Sequence, residues 1–320
     1  MGERMSRFDE ERRLALAGAA SVPGWEGRDL VAEPAIAVLA SPSWRGVDGA
    51  PWRVRAGDDS LLVKVMDPDA AFYIDLATTF LAARRASDLG VGPKVFAADE
   101  ATGVLVMQDL DRGWRVGTLD RLLEPAIVDA VLAARRKFQT SGPLPKTAGV
   151  FDEIERFYAV AKAVDAQLPV DAGWLVDELR FAGGALKGLN IVRAPIHGDG
   201  NVSNLMISDS GEIRLIDWDR ATTADPLEDV GSFLAEAFEQ EPEARDAFDR
   251  NYPGLGEAAF NRARVYGVAD DLRWGLIGAV VAAKSPRNTH EFYKFASWRF
   301  LRCRMAVRAP RFGEQLRRMT

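Results

Sequence analysis

The chain has 320 residues, 48% of them hydrophobic, which is enough for one large domain or two moderate ones with a substantial core. Its 41 basic and 47 acidic residues give a net charge of −6, and no stretch is basic and aromatic enough to form an obvious nucleic-acid track. The longest apolar run, Trp274 to Ala283, is too short to cross a bilayer and predicts a buried helix. The single Cys303 cannot form an intramolecular disulfide, so we expect a reducing, cytoplasmic location.

The N-terminal part of the chain shows the pattern of a small antiparallel sheet. A leading helix over 8–20 is followed by a loop, and a turn-rich segment, 41–51, separates the first two strands. A helix is predicted to begin at Asp67-Pro68, which supply an N-cap acid and a first-turn proline, and to end at Gly90. The predicted strands are 37–40, 52–54, 61–65, 95–98 and 104–107.

After Met107 the chain becomes polar and then almost entirely helical, apart from one strand-bordered motif. We therefore predict an α+β protein with two lobes. Residues 1–107 would form a small antiparallel sheet lobe with one main helix, and residues 108–320 a larger, mostly helical lobe. The predicted helices of the second lobe are 125–139, 151–164, 173–189, 226–238, 243–250, 257–283 and 291–307.

Two polar turns, each bordered by short strand-like runs, carry the densest chemistry of the chain. The first holds His197, Asp199 and Asn204, and the second holds Asp217 and Asp219. Because strands fix the distances between turn residues, these acidic and amide oxygens can converge on a hard cation, which predicts a magnesium-phosphate site. His197 is expected to hydrogen-bond the backbone and hold its turn.

Lys64 lies inside an apolar strand, where an ammonium needs either an anionic partner or an outward position on an edge strand. Phosphoryl transfer requires a cation on the nucleotide phosphates, metal ligands and a carboxylate that orients the accepting hydroxyl. The lobe order and the acidic turns favour the anion-binding interpretation of Lys64, so each requirement has a candidate.

The motifs resemble those of the aminoglycoside phosphotransferase and choline/ethanolamine kinase superfamily, whose fold is protein-kinase-like. The segment 197–204 is similar to its His-Gly-Asp-x-x-x-x-Asn loop, and 215–219 to its Ile-Asp-Trp/Phe-Glu/Asp segment. The segment 225–229 resembles the Asp-Pro-x-x-Asp of many bacterial members, and 90–95 the Gly-x-x-Pro-x-Val segment that follows the small-lobe helix. The resemblance covers most of the chain from near Ala37 onward.

This resemblance implies ATP and Mg²⁺ as cofactors. Lys64 would contact the α- and β-phosphates, and Asn204 and Asp217 would hold magnesium. Asp199 would orient the accepting hydroxyl, and the catalytic set would be Asp199, Asn204 and Asp217.

Two features of the nucleotide side depart from the superfamily pattern. The glutamate that pairs with the lysine is absent from the small-lobe helix; Thr79 lies near its position, and Asp75 is the candidate replacement. The segment 41–51 lacks a compact glycine pattern for covering the phosphates.

The backbone of Gln108, Asp109 and Leu110 would bind adenine.

A narrower resemblance, to the closing helices of choline/ethanolamine kinases, covers residues 273–300. In those enzymes aromatic rings surround a quaternary ammonium by cation–π attraction. Trp274 and Phe295 match cage positions, whereas Ile277 stands where eukaryotic choline kinases have a second tryptophan, which leaves room for a primary amine. The alternative is that these aromatic residues are helix-packing core. The residues expected around the acceptor are Asp199, Asp219, Glu228, Asp229, Trp274 and Phe295.

The leading hypothesis is an ATP-dependent kinase acting on a hydroxyl of a small amine-bearing metabolite such as choline or ethanolamine. An aminoglycoside or another small alcohol is the alternative acceptor. A nucleotide-binding pseudokinase module is the second hypothesis, because of the absent glutamate and the irregular first loop. A protein kinase is disfavoured, since no long activation segment separates Asp217 from Asp225, and two histidines are few for a metal-dependent hydrolase.

Overall fold

The computed structural model describes residues 6–35, 48–285 and 292–319. The predicted strand at 37–40 and most of the segment 41–51 lie outside these residues. The N-terminal part contains α1 (Arg7–Ala20), β1 (Val31–Pro34), β2 (Gly49–Ala56), β3 (Asp59–Met66), α2 (Leu76–Asp88), β4 (Val95–Asp99) and β5 (Val104–Gln108).

These strands form one antiparallel sheet in the order β1-β2-β3-β5-β4, with β3 at its centre. Because successive side chains of a strand point to opposite faces, Leu61, Val63 and Val65 of β3 pack into a small core with α1. Lys64 therefore lies on the other face of the sheet. The edge strand β1 was predicted as loop, since it is short, mostly exposed and ends in Pro34.

The helix predicted from Asp67 begins later than expected. Asp67 does cap a turn, because its carboxylate accepts a hydrogen bond from the Asp69 N–H at 2.9 Å, but this turn is a short 3-10 helix, Pro68–Ala70. The main helix α2 begins at Leu76, after a second cap in which Asp75 accepts from the Thr78 N–H at 2.8 Å.

The remainder of the chain is mostly helical, with short strands around the polar turns, so the predicted α+β two-lobed fold is confirmed. The short strands at 114–116, 205–208 and 213–215 form one small sheet, and those at 194–196 and 222–224 form another. No helix within the described ranges is long and apolar enough to cross a membrane. The elements are β6 (Trp114–Val116), α3 (Pro125–Phe138), α4 (Val150–Ala163), α5 (Ala172–Leu186), β7 (Ala194–Ile196), β8 (Leu205–Ser208), β9 (Ile213–Leu215), β10 (Thr222–Ala224), α6 (Pro226–Ala237), α7 (Glu241–Asn251), α8 (Gly256–Lys284), α9 (Phe292–Arg308) and α10 (Pro310–Arg318).

Helices α6 and α8 approach each other through glycine. A Cβ on Gly231 would lie 1.9 Å from the carbonyl oxygen of Ala263, and one on Gly267 would lie 2.7 Å from the carbonyl oxygen of Gly231. Interiors packed this closely cannot take an added methyl without moving backbone. The contact positions the acidic start of α6 beside the charged middle of α8.

We predict that Gly231→Ala lowers the free energy of unfolding by about 2 kcal/mol, because the methyl group would force the two helices apart. Denaturant unfolding of the purified protein measures this. The matched control is Gly184→Ala in α5, where nothing lies within 4 Å of the added Cβ and where alanine favours the helix. Equal destabilisation by both variants would contradict the close-contact account.

Candidate active site

The segment 197–204 forms a loop between β7 and β8 that is closely packed against backbone. Gly198 has φ +76°, and a Cβ there would lie 2.4 Å from the carbonyl oxygen of Arg220. Only glycine fits both the left-handed backbone and the contact. The loop therefore has little freedom to shift relative to the second polar turn.

His197 is fully buried and braces this loop. Its Nε2 lies 2.9 Å from the carbonyl oxygen of Ile216 and must donate to it, so Nδ1 is the unprotonated nitrogen. The ring also packs against Trp218, with centroids 4.5 Å apart. Burial, together with the nearby Arg135 guanidinium, lowers the pKa of His197 to about 4. The predicted backbone hydrogen bond is confirmed.

Two buried arginines and one buried aspartate hold the loop 197–204 in place. Arg135 pairs with Asp229 at 2.6 Å and donates to the carbonyl oxygen of Asp199 at 2.8 Å. Asp229 also accepts from the Gly198 N–H at 3.0 Å, and Arg273 donates to the Gly198 carbonyl oxygen at 2.7 Å. Asp229 has no exposed surface and its Oδ1 serves these contacts, so its predicted contact with an acceptor stays a prediction.

Asp199 and Asn204 are joined directly. The Asn204 Nδ2 donates to one oxygen of Asp199 at 2.9 Å, and the Asn201 N–H donates to the other at 2.8 Å. Because Asp199 takes the amide nitrogen, the Oδ1 of Asn204 is the atom that a metal could use. Burial and the charge of Asp270 raise the pKa of Asp199 to about 6, which still leaves it mostly ionised at neutral pH.

Lys64 joins the sheet to the second polar turn. Its Nζ lies 2.6 Å from a carboxylate oxygen of Asp217 and 2.6 Å from one of Asp219. Burial alone would lower the pKa of Lys64, but the two carboxylates outweigh it and raise the pKa. Asp48, Asp217 and Asp219 offer carboxylate oxygens within 4.8 Å of one another, an arrangement that could hold a cation. Asp217 has φ +66°, which is rare outside glycine and is typical of strained functional positions.

These contacts bear on two predictions. Asp75 caps α2, whereas the ion pairs of Lys64 within the described part of the chain are with Asp217 and Asp219. Asp219 was expected around the acceptor. The structure places it against Lys64 beside Asp217, with its side chain only 3% exposed, and its contact with an acceptor stays a prediction. The carboxylate that the sequence lacked on α2 is therefore supplied by the second polar turn.

The segment predicted to bind adenine follows the central sheet. Gln108 ends β5, and its N–H donates to the Lys94 carbonyl oxygen at 2.8 Å, so this donor is already used. The carboxylate of Asp109 is held by Arg53 at 2.6 and 3.2 Å. Adenine recognition through Asp109 and Leu110 stays a prediction, while the Gln108 N–H is not available for it.

The two predicted cage aromatics lie together. Trp274 and Phe295 pack edge to face with centroids 6.1 Å apart, and each is 4% exposed. The guanidinium of Arg220 lies 5.7 Å from the centre of the Trp274 ring, so a cation of the protein itself contacts this cluster. Contact with an acceptor stays a prediction for both rings.

Glu228 is buried between helices α4, α6 and α8. It accepts from the Val150 N–H at 3.1 Å and from Arg273 at 3.3 Å, which ties α6 to α4 and α8. Burial raises the pKa of Glu228 to about 7. The structure thus shows Glu228 as a link between helices, and its contact with an acceptor stays a prediction.

Sequence reasoning missed the buried charged residues whose contacts surround the two polar turns. Arg135 follows Val128, Val131 and Leu132 on the apolar face of α3, and a charge in such a stripe indicates an internal partner. Arg220 directly follows the second polar turn. The full set of missed residues is Asp48, Arg135, Lys146, Glu153, Arg220, Asp270 and Arg273.

The fold and this constellation define a phosphotransferase. The sequence model of the phosphotransferase enzyme family matches residues 40–265, and the chain belongs to this family. This confirms the superfamily that the motifs indicated. No curated protein sequence matches the chain.

Solved structures of the same superfamily are similar over most of the chain. A choline/ethanolamine kinase family protein from Mesorhizobium loti is 25% identical, with a TM-score of 0.77, covering 97% of this chain and 99% of that one. The choline kinase LicA from Streptococcus pneumoniae, also solved in complex with AMP, is 16% identical with a TM-score of 0.70, covering 80% and 89%. A thermostable mutant of aminoglycoside phosphotransferase APH(4)-Ia is 19% identical with a TM-score of 0.57, covering 93% and 98%.

The buried neutral imidazole predicts a pH dependence of stability. The unfolded chain binds a proton at His197 below a pKa of 6.5, whereas the folded protein binds it only below about 4. Stability should therefore fall by about 3 kcal/mol as the pH drops from 6.5 to 4, and His197 should add no slope above 6.5.

Urea unfolding of the wild type and of His197→Gln, which keeps a donor for Ile216 but does not titrate, measures this as the difference between two pH curves. The contributions of carboxyl groups to the pH dependence of stability are common to both proteins and cancel in the difference. An NMR titration assigns the histidine signal that the substitution removes. A pKa near 6.5 for that signal would contradict the buried neutral state.

Proposed function

We propose that the protein is an ATP- and Mg²⁺-dependent kinase that transfers the γ-phosphate to a hydroxyl of a small amine-bearing metabolite, such as choline or ethanolamine. The observation that carries this proposal is that Lys64 of β3 pairs with Asp217 and Asp219 of the second polar turn, and that this turn adjoins the Asp199–Asn204 pair, since the Ile216 N–H donates to the Asn204 carbonyl oxygen at 2.9 Å. These are the groups that phosphoryl transfer needs for binding phosphate, holding metal and orienting the acceptor.

The residues of the second turn fit a divalent cation. Asp48, Asp217 and Asp219 bring three carboxylates together, and two of them already surround the ammonium of Lys64. Asp217 and the free oxygen of Asn204 would hold Mg²⁺, with Asp219 as a further ligand. Magnesium supplies charge neutralisation on the nucleotide phosphates when it is bound. Lys64 would then contact the phosphates, which offer it anionic oxygens in place of the carboxylates.

Asp199 would orient the accepting hydroxyl and receive its proton. Its two oxygens are held by Asn201 and Asn204, so the carboxylate keeps one direction. A pKa of about 6 makes it a stronger base than an exposed aspartate while leaving it ionised at neutral pH.

Nucleotide binding and acceptor binding would be assigned to different lobes. Residues 1–107 would bind the nucleotide with the segment after β5, and residues 108–320 would supply the catalytic loop and the acceptor site. Support comes from the similar fold of LicA, which has been solved with AMP. The single cysteine in the sequence, Cys303, is buried, in keeping with the cytoplasmic location that we propose.

The choice of acceptor rests on the resemblance to choline/ethanolamine kinases. An aminoglycoside is the alternative acceptor, because the fold of an aminoglycoside phosphotransferase is also similar. The pseudokinase hypothesis loses its main support, since Lys64 has carboxylate partners without a glutamate on α2. Nucleotide binding by the wild type without phosphorylation of any amino alcohol, aminoglycoside or sugar would restore it.

We predict that Asp199→Asn lowers kcat by about 1,000-fold, because the isosteric amide cannot receive the proton of the acceptor. Its Kd for ATP with Mg²⁺ should stay close to that of the wild type, as measured by calorimetry. The control is Asp209→Asn, at a side chain that is 72% exposed. Near-normal turnover by Asp199→Asn would show that another group orients the hydroxyl.

We predict that Asp217→Asn raises the Mg²⁺ concentration needed for half-maximal activity and lowers kcat by about 100-fold, since it removes a carboxylate ligand and a partner of Lys64. Mg²⁺ titrations at saturating ATP measure the first effect. Asp177→Asn, at an exposed position of α5, is the control and should leave both quantities unchanged. An unchanged Mg²⁺ requirement in Asp217→Asn would remove Asp217 from the metal site.

A further inference from the structure

A three-ring aromatic box formed by Tyr73, Phe157 and Trp274 encloses a cation of the protein itself. The guanidinium carbon of Arg220 lies 5.8 Å from the centre of the Tyr73 ring and 5.7 Å from the centres of the Phe157 and Trp274 rings. All three distances are in the range in which a cation is attracted to an aromatic face. The aromatic box therefore already has an occupant.

Arg220 is fixed in this position by further contacts. It donates to the Tyr73 carbonyl oxygen at 3.0 Å and pairs with Glu153. Burial acts to raise the pKa of Glu153, but Arg220, Lys146 and Arg273 together lower it to about 2, so the anionic partner stays charged. Moving Arg220 out of the box would break a fully buried ion pair, which is strongly unfavourable.

The rings have no exposed face left for a second cation. Phe157 is 0%, Tyr73 2%, Trp274 4% and Arg220 1% exposed. Trp274 is further covered by Phe295, whose ring packs edge to face against it. An alkylated ammonium, which binds through aromatic faces because it lacks N–H donors, thus finds no free surface at the aromatic box.

We propose that Arg220 is a specificity-determining residue whose guanidinium takes the place of a quaternary ammonium in the aromatic box. This inference rests on the proposed kinase function and narrows its acceptor to an alcohol whose amine carries N–H groups. Such an amine is recognised by carboxylates rather than by rings. Asp270, one turn before Trp274 on α8, is a buried carboxylate of this kind, and its Oδ1 also pairs with Arg273.

The first experiment measures binding without turnover. Tetramethylammonium is titrated into the wild type and Arg220→Ala, and thermal unfolding is followed. The wild type should show no shift, whereas the vacated box in Arg220→Ala should bind the ion beside Glu153 and gain about 4 °C in Tm at saturation. Arg220→Lys, which keeps a cation in the box, is the matched control and should show no shift.

Adding Trp274→Ala to Arg220→Ala should remove the shift, because a wall of the box is lost. A shift in the wild type, or an Arg220→Ala shift that survives the loss of Trp274, would overturn the proposal. Absence of any shift in a folded Arg220→Ala would also overturn it, since the rings would then not form a seat for a cation.

The second experiment uses the wild type alone, so it decides the matter even where Arg220→Ala fails to fold. With ATP and Mg²⁺, kcat/KM should fall from ethanolamine through its mono- and dimethylated forms to choline, by about tenfold or more overall. Higher kcat/KM for choline would overturn the role of Arg220. Phosphorylation of no alcohol at all, with the binding results as expected, would instead refute the proposed kinase function and leave the occupied box standing.

Discussion

Buried arginine charges and their partners determine the geometry of this site. Arg135, Arg220 and Arg273 are each at most 1% exposed, and a guanidinium in such surroundings must be matched by anions and carbonyl oxygens. Their partners include the backbone of Gly198 and Asp199 and the carboxylates of Asp229 and Glu153. The loop 197–204 is thus held by buried contacts that involve α3, α4, α6 and α8, so the place of Asp199 depends on helices distant in sequence.

Much of the fold could be predicted because periodicity is a local property. The helices of the second lobe begin and end close to the predicted residues, since each carries a long apolar face. The short strands β6 and β10 were missed, because three residues are too few to show alternation. The start of α2 was misplaced for a related reason: Asp67 and Asp75 are both good caps, and only packing decides which one begins the long helix.

The candidate site was recognisable from spacing, but the roles of its carboxylates were not. Asp219, Glu228 and Asp229 are all acids in one short stretch, and the sequence alone does not distinguish which of them contacts an acceptor. In the structure Asp219 faces Lys64, Glu228 links helices and Asp229 lies under the loop. Which role an acid takes depends on the nearest buried cation, and those cations come from β3, α3 and α8. The signal available in the sequence was Arg135, a charge within an apolar stripe.

The absent glutamate on α2 changes how the charges of the site are coupled. By the sequence resemblance, Thr79 stands near the position of the superfamily's glutamate; its side chain is buried, and a hydroxyl cannot balance an ammonium. Lys64 therefore draws on Asp217 and Asp219, the same carboxylates that would hold a divalent cation. In the absence of nucleotide this arrangement compensates the mutual repulsion of the two acids and keeps them oriented. With nucleotide, phosphate oxygens are the remaining anions that could release Lys64 from them. If a divalent cation binds here as we propose, its occupancy and the position of Lys64 would be coupled through one pair of carboxylates, whereas a glutamate on α2 would have kept them independent.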